Sequence, residues 1–118
     1  MTKKSIIIPA TETRQIMLDY VLEKEEQLRI QAVREEEDFQ RELLLVQQLI
    51  MNRITQSAQE GKNYYYFDFY DYAYFLTIVY EKQSRFVLDT QRAFREAGYT
   101  TEEGAESHYS LIFKWIGA

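Results

Sequence analysis

Between Pro9 and Gly61 the chain contains no glycine and no proline, and this bounds the fold more tightly than any other feature. Nothing in such a stretch breaks a helix. Apolar residues recur there at Met17, Val21, Leu28, Ala32, Phe39, Leu43, Val46, Ile50 and Ile54. Steps of mostly three, four and seven are helical periodicity. Thr11 offers an N-cap, Glu12 suits the first turn, and Gly61 offers a C-cap. Glu25 with Arg29 and Glu37 with Arg41 add i,i+4 support. The spacing therefore predicts a long helix or a helix pair over 11–60.

One uninterrupted helix would run on the order of 70 Å at ~1.5 Å per residue, more than the diameter of so small a domain. Two arrangements resolve this. The helix breaks near Glu35-Glu36-Glu37-Asp38, with Asp38 capping a second helix, or its first half packs against another chain. From Glu23 to Glu42 there are eight acidic and four basic residues and few large apolar ones, so this stretch buries little alone. Heptad stepping through Val21 and Leu28 arrives at Glu35, which ends any coiled-coil repeat. The favoured expectation is a kinked or split helix, with self-association through Val21, Leu28 and the arm Ile6-Ile7-Ile8. Pro9 separates that arm, residues 1–10, from the helix. Its three isoleucines favour strand and need a surface to cover, as an edge strand here or on a second copy.

After Gly61 the pattern changes. Asn63 to Tyr70 reads as a strand, with Tyr65, Phe67 and Phe69 on one face and Tyr64, Tyr66 and Asp68 on a wetter one. Asp71 is placed to cap a helix running to about Ala97, with Gly98 as its stop. Tyr72, Phe75, Leu76, Val79, Phe86, Val87, Thr90 and Phe94 form its apolar stripe. Arg85, Arg92 and Arg95 lie toward its C-terminal half, where cations suit the dipole. A hairpin follows: Tyr99-Thr100-Thr101, a turn over 102–107 containing Gly104, and a strand from His108 to Ile116. That last strand alternates, with Tyr109, Leu111, Phe113 and Trp115 on an apolar face and His108, Ser110, Ile112 and Lys114 on the other. The expectation is a single α+β domain over 1–118. Its β-α-β-β body over 63–116 makes a three-stranded, mainly antiparallel sheet covered by helices on one face.

Residues Gly61, Tyr65, Gly98, Tyr99, Tyr109, Phe113 and Trp115 resemble a pattern found among small accessory proteins encoded by bacterial phages and prophages. In that pattern a helix ends in glycine, a strand leads to a second helix closing on Gly-Tyr, and a hairpin finishes near a tryptophan. The resemblance covers residues 40–116 and rests on packing and turn positions. It implies no shared activity and no catalytic residue. It implies a style of protein: virion components, and small acidic inhibitors of host defence that act by binding.

Chemistry is sparse. The only histidine is His108, the four glycines are scattered, and cysteine is absent, so there is no disulfide scaffold or thiolate metal site. Ser110 shares a strand face with His108, but no orienting acid accompanies them. Glu102, Glu103, Glu106 and His108 lack the alternation of a calcium loop and read as a solvated turn. Asp68 and Asp71 read as solvated and capping carboxylates rather than an acid–base pair. No catalytic residue, metal or cofactor is expected.

No apolar run reaches the ~18 residues of a membrane span, and the N-terminal stretch is too short for a signal peptide, which places the expected location in the host bacterial cytoplasm. The net charge of −5 argues against direct nucleic-acid binding and suits a basic protein partner.

The sharpest feature is aromatic. Ten of the seventeen positions from Tyr64 to Tyr80 are Tyr or Phe. Packing uses about half, leaving Tyr64, Tyr66, Tyr70 and Tyr74, which with Asp68 and the acidic Glu35, Glu36 and Glu37 form the candidate partner surface. The leading expectation is a non-enzymatic protein that binds, and as an inhibitor would silence, a host defence protein. The first alternative is an oligomeric virion or assembly protein, a dimer being the simplest case. The second is a small-molecule sponge, for instance for a nucleotide signal.

Overall fold

The computed structural model describes residues 6–104 and 109–115. The first helix, α1, spans Ala10–Gln59 without interruption, so the break expected near Asp38 does not occur. The run Glu35-Glu36-Glu37 is helix-compatible, and Asp38 costs a helix interior only a fraction of a kcal/mol, roughly 0.7 at most. Thr11 is not the cap. The Pro9 carbonyl accepts the Glu12 and Thr13 amides at 3.0 and 3.2 Å, and helix begins at Ala10. At the other end Lys62 N–H donates to Ser57 O and Gly61 N–H to Ala58 O, both at 3.0 Å, the paired bonds of a glycine-terminated helix.

Contacts divide the chain into two units, Met1–Asp38 and Phe39–Ala118. In the first, the described side chains are exposed apart from a half-buried Glu36. Ile6, Ile7 and Ile8 form no strand. Short-range polar pairs support the helix: Gln15 donates to Asp19 at 2.8 Å and Gln31 to Glu35 at 3.2 Å. Arg29 reaches Glu26 at 3.2 Å rather than the expected Glu25.

The second unit carries the core. Strands β1 (Tyr64–Asp68), β2 (Thr100–Glu103) and β3 (Ser110–Lys114) form one antiparallel sheet in the order β1-β3-β2. With helices it makes the expected α+β class. Phe39, Leu43, Val46, Ile50 and Ile54 of α1 are buried at steps of four, three, four and four. They belong to one core with Phe67, Phe69, Phe75, Phe86, Val87, Phe94, Leu111 and Phe113. Phe86 is central: its ring lies edge-on to Phe39 at 5.4 Å and to Phe69 at 6.0 Å. The Arg85 guanidinium sits 4.3 Å from the Phe39 ring centre, a cation–π contact inside the fold.

The second expected helix is in fact three pieces: a 3₁₀ turn at Phe69–Asp71, helix α2 at Ala73–Thr77, and helix α3 at Tyr80–Glu96. Asp68, not Asp71, supplies the cap, accepting the Tyr70 amide at 3.0 Å. Ile78 and Val79 are extended and interrupt the helix. Thr77-Ile78-Val79 is a run of three β-branched residues, which resist helix. Thr77 also turns its hydroxyl back to the Tyr74 carbonyl at 2.7 Å. The break rotates Leu76 and Val79 off the expected stripe and leaves both exposed. Gln83 spans it, donating to the Phe75 carbonyl at 2.9 Å. Helix α3 ends at Gly98, whose φ of +98° disfavours any residue with a Cβ.

Glu102 and Glu103, expected in the turn, extend β2. The rest of that turn, His108, and Ile116 lie outside the described residues. Ser110, placed by alternation opposite the apolar face, is fully buried. Gly104 explains this. Its amide donates to the Ser110 carbonyl at 2.9 Å, and its backbone lies against the Ser110 side chain. A Cβ at position 104 would collide with Ser110 Oγ and lie 2.7 Å from a Tyr66 ring carbon.

Candidate functional site: exposed tyrosines and a tyrosine-lined cleft

The register of β1 decides which tyrosines are available. Tyr64 pairs with Lys114, Tyr66 with Ile112 and Asp68 with Ser110. Alternation then puts Tyr64 and Tyr66 on the face opposite the buried Phe67, and they are 49 % and 38 % exposed. Glu102 pairs with Ile112 on this face and bonds Lys114 at 3.0 Å. Asp68 is half-buried and engaged as a cap. Tyr66, Asp68, Asp71 and Arg53 border a depression of about 320 Å³. Tyr65 lines it from the core side. Burial raises its phenol pKa, opposed by the nearby Arg53 charge.

Tyr70 leaves this group. The 3₁₀ turn carries it to a second place, where its ring meets Tyr109 edge-on at 5.6 Å. Tyr80, the first residue of α3, approaches Tyr109 at 6.2 Å with planes 72° apart. Ser84, one turn on, has its hydroxyl 3.5 Å from that of Tyr109. With Gln91 and Glu103 these residues border an open cleft of about 510 Å³. Tyr70 is 44 % exposed and Tyr80 72 %. The Tyr109 hydroxyl raises the Tyr80 phenol pKa, first by hydrogen bonding and then by charge, while Ser84 opposes it. The Tyr80 phenol therefore stays a neutral donor and acceptor at physiological pH.

Tyr74 is not part of either surface. It is half-buried and packs on Phe86 at 5.9 Å. Tyr72 is held too: its hydroxyl donates to Glu42 Oε2 at 2.6 Å and its ring stacks on Phe86. Burial, then the Glu42 carboxylate, pushes its phenol pKa well above the ordinary value. Glu35, Glu36 and Glu37 lie in the first unit, as do the exposed Ile6, Ile7, Ile8, Val21 and Leu28.

Tyr80 and Tyr109 are the functional candidates that sequence reasoning missed. Tyr80 closes the aromatic run, but its role depends on the break at Ile78–Val79. Tyr109 reads as core by alternation, yet only its ring packs inward, against Phe75 at 5.2 Å.

Among the described residues, no group of three or more His, Asp or Glu is placed to hold a metal ion. No helix among them is long and apolar enough to cross a membrane. No protein-family model, curated protein or solved structure matches the chain.

Proposed function

We propose that this chain is a non-enzymatic accessory protein of phage type that works in the bacterial cytoplasm by binding a host protein, as an inhibitor of host defence would. The observation that carries this reading is the exposure of Tyr64, Tyr66, Tyr70 and Tyr80 on the unit that holds the core. Tyrosine buries a large rigid ring at low entropic cost while its hydroxyl stays hydrated, which is why binding surfaces favour it. The net charge of −5 over the whole chain suits basic partners. Affinity capture from bacterial lysate, read by mass spectrometry, tests the reading. Wild type should enrich one host protein, and the Tyr64→Ala/Tyr66→Ala/Tyr80→Ala variant should lose it. Equal capture by both removes the tyrosines from the interface.

A second reading, an assembly protein, is favoured by a separate observation. Ile16, Met17, Leu18, Tyr20, Val21, Leu22, Leu28, Ile30 and Val33 are all exposed on α1. So much apolar area marks a contact surface. Light scattering after size exclusion should then exceed the 14.2 kDa of one chain, and Val21→Glu/Leu28→Glu should restore it.

A further inference from the structure

We propose that the cleft bordered by Tyr70, Tyr80, Tyr109, Ser84, Gln91 and Glu103 is an arginine-binding site, receiving an arginine side chain of the protein partner. The inference rests on the binding reading above and names the chemistry of what is bound.

Four observations carry it. First, the cleft measures about 510 Å³, within the range of roughly 300–1,000 Å³ typical of ligand sites. Second, its three tyrosine rings meet at steep angles, 74° for Tyr70 with Tyr109 and 72° for Tyr80 with Tyr109. Such a set offers both ring faces, which attract cations, and hydroxyl-bearing edges, which accept hydrogen bonds. Third, the one charged residue on its border among the described residues is acidic. Glu103 is exposed and supplies a carboxylate for a charge-assisted bond. Fourth, acceptors line the border: the Tyr80, Tyr109 and Ser84 hydroxyls cluster within hydrogen-bond reach of one another, and the Glu103 carboxylate is a further acceptor.

A guanidinium fits this set better than an ammonium. It is planar, stacks on an aromatic face, is weakly hydrated, and directs five donors outward in its own plane. A nucleobase would also stack on tyrosine, but its phosphates require cations. Arg92 and Arg95 border the neighbouring depression, which shares Leu88 and Gln91 with the cleft, and both are engaged there: Arg92 faces Asp89 at 3.8 Å and Arg95 donates to Thr101 at 2.8 Å. The partly exposed Arg85 guanidinium over the Phe39 ring shows the same chemistry within this unit.

The test is an amide-resolved NMR titration of the full, isotope-labelled chain with N-acetylarginine methylamide. Its controls are the neutral citrulline analogue and tetramethylammonium. Saturable shifts should concentrate on Tyr70, Ser84, Gln91 and Glu103. Citrulline should bind at least about fivefold more weakly, because the cation–π contact and the charge-assisted bond to Glu103 are both lost. Tyr80→Ala and Glu103→Gln, both at exposed positions, should keep the native spectrum and weaken the arginine titration. Equal shifts from citrulline, equal or tighter binding of tetramethylammonium, shifts located elsewhere, or no saturation would each overturn the proposal. If lysate capture depends on Tyr80 while the arginine probe fails, the binding reading stands and the arginine assignment falls.

Discussion

Tyr72 and Gly104 illustrate how single positions hold the tyrosine surfaces in place. The Tyr72 hydroxyl ties the turn after β1 to Glu42 of α1 at 2.6 Å. Tyr72→Phe removes a hydrogen bond to a charged group and should cost about 1.5–3 kcal/mol, read from urea midpoints at pH 7. Its pH dependence has a defined sign. The folded phenol pKa lies above the unfolded one, so its contribution is complete below about pH 10 and fades as pH rises through the folded value. The wild type should therefore lose more stability than Tyr72→Phe on passing above pH 10. Gly104 is a packing requirement. Gly104→Ala drives a methyl group into Ser110 and Tyr66, and should cost about 1–3 kcal/mol as overpacking does. A midpoint equal to wild type would mean the strand end yields freely. Neither role was legible in the sequence. Strict alternation puts Ser110 opposite the apolar face and does not show its burial, because period two describes a strand and not the backbone that folds over it.

At the scale of elements, what could be read was what depends on local pattern. The stripe Phe39-Leu43-Val46-Ile50-Ile54, the two faces of β1, and the stops at Gly61 and Gly98 all follow from spacing or backbone conformation. The break between α2 and α3 did not, because it has no glycine or proline and the apolar spacing continues through it. Its causes are three adjacent β-branched residues and a side chain that satisfies the orphaned carbonyl. Gln83→Glu is close in shape but presents no donor when ionised. It should destabilise the fold by about 1–3 kcal/mol, the cost of an unsatisfied buried acceptor. An unchanged thermal midpoint for Gln83→Glu would show that the bond to Phe75 does not stabilise the junction. The same break sets Tyr80 beside Tyr109, so the cleft stayed hidden as long as the helix was read as continuous.

For the whole molecule, the surplus of aromatic and apolar surface divides between two units that each invite a partner. The described part of the first unit exposes isoleucine, leucine and valine along a charged helix. The second exposes tyrosines beside an acidic hairpin. A protein that binds a different protein uses the tyrosines; a protein that assembles with itself uses the helix. Photo-crosslinking in bacterial cells separates these most directly, with benzoylphenylalanine replacing Tyr66, Tyr80 or Tyr20 in turn. The binding reading requires a covalent adduct with one foreign protein from position 66 or 80. Adducts with the chain's own copies alone, or from position 20 alone, would contradict it.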